Sequence, residues 1–432
     1  MWLALVLLAP SLLRAQRPVT RDEALRAALS AGPRVALARA DTALSRAALI
    51  LAHALPNPSL NASHSGAPPQ KHLVVDIPFD APWVRGPRLS AANAASRAAR
   101  LRFMSERAAA MLDVDTTYTR ALGAQARFRL SRQTARDAES LSKMTISRRI
   151  AGDASDLEVD LASVTAGQQE NVAATDSLAS MSLLLTVQTL MGSPADSIAI
   201  VLADTLRIGH ADTRALLEAT DSAVVLTAQA ASSPSGGMLS GAVPPAAGAA
   251  LDRRGSTPAV AAAEAAVQAA DLTIVRERRG VFGISSFQVG VEWGDPAVDP
   301  PDNQRLYLFG VSVPLPFFNQ NQGAIALATA ERDRARAELS SARLLARQRL
   351  VESYRELASL RARVARDQEL VVRAERVASR SVTAYREGAS ALPAVLAARR
   401  TAREVLGQYI DDLTALMTLQ SELRVLTQTV PQ

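Results

Sequence analysis

The sequence predicts a mainly α fold with a small β part, built from long antiparallel helical hairpins that occur twice along the chain. Three observations predict it. Alanine, leucine and arginine dominate, aromatics make up only 4%, and the glycines and prolines gather at a few places, which is the composition of long helices. Two very long runs lack helix breakers and end at a short glycine-containing interruption. The same order of elements, helix, strand, strand, long helix, tip, helix, is read once in each half.

The clearest run extends from Gly323 to Arg386 with no proline, long enough for a helix of roughly 95 Å at 1.5 Å per residue. Within it every seventh position from Leu350 is apolar: Leu350, Leu357, Val364, Val371, Ala378 and Tyr385. The companion seam, taken four residues on, is mixed (Tyr354, Arg361, Gln368, Glu375, Val382), so the stripe is narrow and suits helices packed side by side. The break Arg386-Glu387-Gly388-Ala389-Ser390-Ala391-Leu392 is a hairpin tip. Gly388 serves as the C-terminal glycine, Ser390 as the next N-cap, and Pro393 falls in a first turn, where its missing N–H costs little. After it Leu406, Tyr409, Leu413, Leu416 and Leu423 recur at spacings of three and four.

The N-terminal end reads differently. Trp2 to Leu13 is a short apolar run followed by Leu13-Arg14-Ala15, a secretory signal pattern with cleavage after Ala15. The first repeat is then expected over 16–231. Thr20-Arg21-Asp22-Glu23 is a capping box that opens a short helix ending near Gly32, and Pro33 opens another that closes at Pro56-Asn57-Pro58. Two alternating runs within 58–80 form a β-hairpin around Gly66-Ala67-Pro68-Pro69. A long helix is expected over 87–150, a tip at 151–155 and a helix at 156–191. A mixed segment follows over 192–231, with one helix from Asp212 to Gln229. Residues 232–256, rich in Ser, Pro, Gly and Ala, read as a flexible linker.

The second repeat occupies 257–432: a helix at 257–280, strands at 283–293 and 305–314, the long helix at 323–386, the tip at 387–390 and a helix at 391–427. Ala154-Ser155-x-Leu157 at the first tip matches Ala389-Ser390-x-Leu392 at the second, and Tyr118 and Tyr354 precede their tips by similar distances. In each half the two shorter helices, about 22 and 38 residues, sum to the length of the long one, near 60, so they fit end to end beside it in a rod of roughly 95 Å. Four strands per chain then lie at one pole. An open four-stranded sheet cannot sit in lipid with unsatisfied edges, whereas strands with one apolar face and aromatics such as Tyr307, Phe309 and Trp293 suit an outer-membrane barrel. Closure requires several copies of the chain.

With Leu55-Pro56-Asn57-Pro58-Ser59-Leu60 at the first strand, the Tyr385-x-x-Gly388 tip followed by Leu392 and Leu396, and the twofold repeat, the sequence resembles the outer membrane factor family. These are the TolC-like exit ducts of tripartite efflux pumps and type I secretion systems. The resemblance runs from Thr20 to Thr429, and Gly152-Asp153-Ala154-Ser155-Asp156-Leu157-Glu158 looks most like the branch of heavy-metal cation efflux systems. It implies a homotrimer in the outer membrane of a Gram-negative-type bacterium, with a twelve-stranded β-barrel in outer-membrane lipid and a twelve-helix α-barrel tunnel through the periplasm. It also implies a periplasmic adaptor and an inner-membrane pump as partners. The chain departs from the family in its long segment 232–256 and in lacking the lipid-modified N-terminal cysteine that many relatives carry.

Composition excludes several other functions. No cysteine is present, so disulfides and thiolate metal sites are absent. The net charge of +6 is spread along helices as a solvated surface, with no basic block or aromatic platform for nucleic acid. Past the signal no stretch of 18 apolar residues appears, and no transmembrane helix is expected. His53, His64, His72 and His210 are scattered without metal-ligand spacing; His64 and His72 could face each other across the first hairpin, but are read as polar residues of a barrel lumen or loop. No catalytic constellation is visible, so an enzyme and a bound cofactor are not expected.

Function therefore concentrates at the tips. Three copies of Asp153, Asp156 and Glu387 around a closing tunnel would form acidic rings that gate and select cations; alternatively Asp153 and Asp156 only stabilise a helix N-terminus and Glu387 faces solvent. The small residues Gly152, Ala154, Gly388 and Ala389 would let a partner hairpin dock closely. The expected function is a passive efflux duct, with a type I secretion duct or a soluble periplasmic coiled-coil scaffold as alternatives.

Overall fold

The computed structural model describes residues 17–67, 70–194, 200–206, 257–283, 285–293 and 305–427. The expected signal at 1–15, the helix from Asp212 to Gln229 and the linker 232–256 lie outside the described residues.

Long helices dominate. In chain order the elements are β1 (Arg17–Val19), α1 (Arg21–Ala31), α2 (Pro33–His53), β2 (Ser59–His64), β3 (Lys71–Phe79), α3 (Pro82–Ile150), α4 (Asp156–Leu190), β4 (Ile200–Leu202), α5 (Pro258–Arg279), β5 (Ser285–Trp293), β6 (Leu306–Ser312), α6 (Gln322–Arg386) and α7 (Leu392–Thr427). α3 has 69 residues and α6 has 65. The start of α3 is earlier than Gly86-Pro87 suggests. Pro82 opens the helix and Pro87 lies inside it, where it deletes one hydrogen bond near the terminus without ending the run. β1 and β4, a short parallel pair, carry no sequence signal because three residues are too few for a visible alternation.

Contacts divide the chain into two compact units, one of residues 1–36, 106–255 and 347–432, the other of residues 37–105 and 256–346. The first unit holds three apolar clusters. Val19, Ala24, Ala28, Val114, Tyr118, Val187 and Leu202 bury one another around the β1–β4 pair. There Tyr118 donates its hydroxyl proton to Val19 O and lies within hydrogen-bonding distance of Asp204 Oδ2, both at 2.8 Å, while Arg21 pairs with Asp115. Burial, then the Asp204 carboxylate, pushes the Tyr118 hydroxyl far above the usual phenol range, so it acts as a fixed donor. A second cluster joins Leu350, Leu357, Leu360 and Val364 of α6 to Leu413, Leu416, Leu419 and Leu423 of α7. The heptad row from Leu350 is thus its backbone, but the companion seam runs three residues on, through buried Ser353 and Leu360. Tyr354, of the row expected four residues on, is half-buried against the same cluster. Each leucine so buried contributes about 1.5–3 kcal/mol. The third cluster sits at the tips: Leu141, Ala162, Tyr385, Leu392 and Val395.

The second unit carries the strands in one antiparallel sheet of order β2-β3-β5-β6. Two side-chain clasps hold helix ends near it. Arg88 donates to Ala52 O at 3.1 Å while paired with the buried Asp80, and Asn321 Nδ2 donates to Glu277 O at 2.8 Å. Both satisfy carbonyls that a helix C-terminus leaves unpaired. α5 is the one helix among the described residues long and apolar enough to cross a membrane. Its apolarity is mostly alanine, however, and Glu264 and Asp271 pair with Arg343 and Arg336 of α6, so its charged face is already committed to a helix.

α3 and α7 approach closely at Gly123, where an added Cβ would lie 2.3 Å from Thr414 Oγ1. Gly123→Val is expected to lower stability by about 1–3 kcal/mol through overpacking, read as a fall in thermal midpoint. Gly167→Ala, in open space, should hold stability or raise it by up to about 1 kcal/mol.

Candidate functional site: the tips and the open sheet

The two tips terminate their long helices in the same way. At the end of α3 Gly152 adopts φ +88°, its N–H reaches Arg149 O at 2.9 Å and the Asp153 N–H reaches Arg148 O at 2.8 Å. At the end of α6 Gly388 adopts φ +76°, with Gly388 N–H to Tyr385 O at 3.1 Å and Ala389 N–H to Ala384 O at 2.7 Å. These are paired Schellman closures, and the left-handed φ is the reason for glycine at each. Beyond the first tip a capping box opens α4: Ser155 Oγ accepts the Glu158 N–H at 3.3 Å and the Glu158 carboxylate accepts the Ser155 N–H at 3.0 Å. Beyond the second, α7 starts at Leu392, so Ala391 stands immediately before the helix, one residue later than the expected Ser390 cap.

The tip acids differ in their surroundings. Asp156 pairs with Arg149, both exposed, an interaction worth about 0–1 kcal/mol. Asp153 and Glu387 are exposed and have no charged partner among the described residues. Arg148 is engaged elsewhere: Nη1 donates to Tyr385 O at 2.8 Å, the guanidinium lies 4.6 Å from the Tyr385 ring centroid, and Nη2 reaches Asp153 O at 3.4 Å. Arg148 therefore ties one tip to the other. Its link to Tyr385 is invisible without the fold. Gly152, Gly388 and Ala389 are exposed and Ala154 is half-buried.

Matched positions in the two tips part company. Leu392 is fully buried in the tip cluster, whereas Leu157 is 76% exposed. Leu157 begins an exposed row on α4, Leu157, Leu161, Val164, Leu178 and Leu185, at three-and-four spacing with Gln168, Asn171, Thr175 and Ser182 filling the intervening places. On α2 Leu37, Leu44 and Leu51, seven apart, are likewise exposed. Both rows have the spacing of coiled-coil seams, and their apolar side chains are exposed among the described residues.

The sheet separates its residues by chemistry. In register across four strands, Leu60, Val75, Val289 and Phe309 share one row, and Ala62, Leu73, Val291 and Tyr307 another. This apolar face is exposed at Leu60, Leu73, Ile77, Phe287, Val289, Tyr307, Phe309 and Val311. The other face carries Ser59, Asn61, Ser63, His72, Asp76, Gln288 and Glu292 together with the apolar Val74, Leu306 and Leu308; His72 Nδ1 lies 3.0 Å from Glu292 Oε1 and Asn61 Nδ2 donates to Asp76 Oδ2 at 2.7 Å. His64 and His72 do not face each other. His72 pairs with Ser63 and His64 with Lys71, and a one-residue offset places the two rings on opposite faces. Among the described residues no group of three or more His, Cys, Asp or Glu side chains is arranged to hold a metal. A groove of about 510 Å³ between α3, α6 and α7 contains Arg127 paired with Asp411 and Arg349 paired with Glu422.

Residues 250–428 match the family model described as outer membrane efflux protein. The sequence matches no curated protein. Among solved structures the fold is similar to CusC (TM-score 0.70, 16% identity, 95% of this chain and 92% of that one). It is similar also to the outer membrane protein VceC of Vibrio cholerae (TM-score 0.68, 14% identity, 95% and 96%). The outer membrane channel CmeC of Campylobacter jejuni gives a TM-score of 0.72 at 12% identity, over 94% and 85%. The chain thus has the fold of these outer-membrane channel proteins.

Arg148→Ala removes a charge-assisted hydrogen bond of about 1.5–3 kcal/mol. It is expected to raise amide exchange of residues 385–391 and leave that of 350–364 unchanged; equal exchange in both proteins would mean that the tips are held by the buried cluster alone.

Proposed function

We propose that the chain is the outer-membrane exit duct of a tripartite efflux system, acting as a homotrimer that conducts cargo passively from a periplasmic adaptor and inner-membrane pump. The observation that carries this reading is the open four-stranded sheet with one exposed apolar face and one polar face. In lipid its two edges are untenable; three copies supply twelve strands, and the apolar face meets lipid while Asn61, His72, Asp76 and Glu292 line the channel. The exposed seams on α2 and α4 fit the same assembly, since a neighbouring copy fills a helical row that its own chain leaves open. The family match over 250–428 and the likeness to outer-membrane channels support the reading.

The duplicated order, α2-β2-β3-α3-α4 and α5-β5-β6-α6-α7, is read as an internal twofold repeat. At the periplasmic mouth the small residues Gly152, Ala154, Gly388 and Ala389 admit the adaptor's hairpins. Asp153 and Glu387, uncompensated by arginine, are the acids proposed to gate and select cations, and Asp156 contributes less because Arg149 accompanies it. A metal-cation cargo rests on the resemblance of residues 152–158 alone.

The test is conductance of the purified protein in planar bilayers. The wild-type protein is expected to form cation-selective pores, and Asp153→Ala, Asp156→Ala and Glu387→Ala together to reduce selectivity and ease opening. Pores with unchanged selectivity would place the gate elsewhere, and absence of pores would contradict the duct.

A further inference from the structure

The link between β6 and α6 presents the most exposed large apolar side chain among the described residues, Phe318 at 99%, with Phe317 at 75% and Leu315 at 67% beside it. They stand on ordered backbone. The Phe317 N–H bonds Leu315 O at 2.9 Å, the Asn319 side chain accepts the Asn321 N–H at 2.9 Å, and the Gln322 side chain accepts the Gln320 N–H at 3.1 Å. Asn321 itself is held at φ +62° by bonds from Nδ2 to Glu277 O and Glu277 Oε2 at 2.8 and 3.1 Å. On the facing side Gly283, φ +57°, leaves the space into which Pro314 fits, since an added Cβ would come within 2.8 Å of Pro314 Cγ. A left-handed asparagine costs about 1–3 kcal/mol and persists only where surroundings impose it. Phenylalanines displayed to solvent on such a base form a contact surface rather than a frayed core.

The row identifies its occupant by continuity. Tyr307, Phe309, Val311, Val313, Leu315 and Phe317 follow at every second residue and all are exposed, so the loop prolongs the apolar face of the sheet. It stops abruptly at Asn319-Gln320-Asn321-Gln322. β6 has only 7 residues; at about 3.4 Å each and a tilt of about 40° it covers roughly 18 Å of an apolar band about 25 Å tall. Residues 313–318 supply the remaining length. Arg278 and Arg279, exposed at the end of α5 next to the Glu277 that anchors Asn321, have no ion-pair partner among the described residues and match anionic phosphate headgroups. The first half has a counterpart in Trp83, 55% exposed four residues after the end of β3.

We propose that Leu315, Phe317 and Phe318 form a rigid wedge seated in the phospholipid interface at the helical end of the barrel, with Arg278 and Arg279 at headgroup level. This rests on the outer-membrane reading above and goes further by making a loop, not a strand, the lower border of the lipid contact.

The chain has no cysteine, so single spin labels report cleanly. Phe309→Cys, Phe318→Cys and Gln320→Cys are labelled in the full-length protein in vesicles of phosphatidylethanolamine and phosphatidylglycerol. Collision with oxygen, which partitions into lipid, is then compared with collision with a water-soluble nickel chelate. The wedge predicts oxygen-dominated collision at 309 and 318 and nickel-dominated collision at 320, a severalfold reversal across two residues. Nickel-dominated collision at 318 with 309 still in lipid overturns the wedge and leaves the barrel standing. A water-exposed 309 overturns the barrel reading itself. Shielding of 318 from both reagents means that protein covers the loop, which also overturns the proposal.

Discussion

The constraint on which the rest depends is that a backbone N–H or C=O facing hydrocarbon must be hydrogen-bonded. A sheet of order β2-β3-β5-β6 leaves two edges, and its exposed face of Leu, Val, Phe and Tyr is unsuited to water. Either condition alone has other solutions: a helix over the face, or charged residues along the edge. Together they direct the sheet toward closure with further copies inside a membrane. The helices answer the same demand, because α2 and α4 leave heptad rows open that one chain does not fill.

Within a chain, stability comes from a few separate packed regions. The α6–α7 cluster and the buried Tyr118 network hold the first unit, and the clasps from Arg88 and Asn321 hold helix ends near the strands in the second. At the tips the small cluster around Tyr385, Leu392 and Val395 is supplemented by two Schellman glycines, a capping box and the Arg148–Tyr385 link. Short-range backbone bonds of this kind fix a shape while leaving side chains such as Asp153 and Glu387 free in solvent. That combination suits a mouth that must present charge and small residues together.

Much of this was legible in the sequence for physical reasons. The 65-residue helix declares itself by lacking proline, and the 69-residue one by the proline-free run beyond Pro87, and glycines at 152 and 388 mark left-handed closures that few other residues adopt. Strand alternation was plain because one face is mainly apolar, with His64, Lys71 and Ser285 only toward its ends. What escaped depends on contacts distant in sequence or on single-residue offsets. The α6 companion seam lies at Ser353 and Leu360 because packing on α7, not local hydropathy, selects between three- and four-residue steps. His64 and His72 separate by one register position. Arg148 reaches Tyr385 across more than two hundred residues, and nothing local distinguishes Leu157, exposed, from Leu392, buried.

The central claim is that β2 of one copy pairs with β6 of the next in a closed ring of three. It is tested most directly by disulfide trapping in the cysteine-free chain, with Leu60→Cys combined in turn with Tyr307→Cys, Phe309→Cys and Val311→Cys, positions on the same face of the sheet. The account predicts that one pairing yields a non-reducing ladder that ends at three chains. Monomers in all three combinations, or a ladder that continues past three, would contradict it.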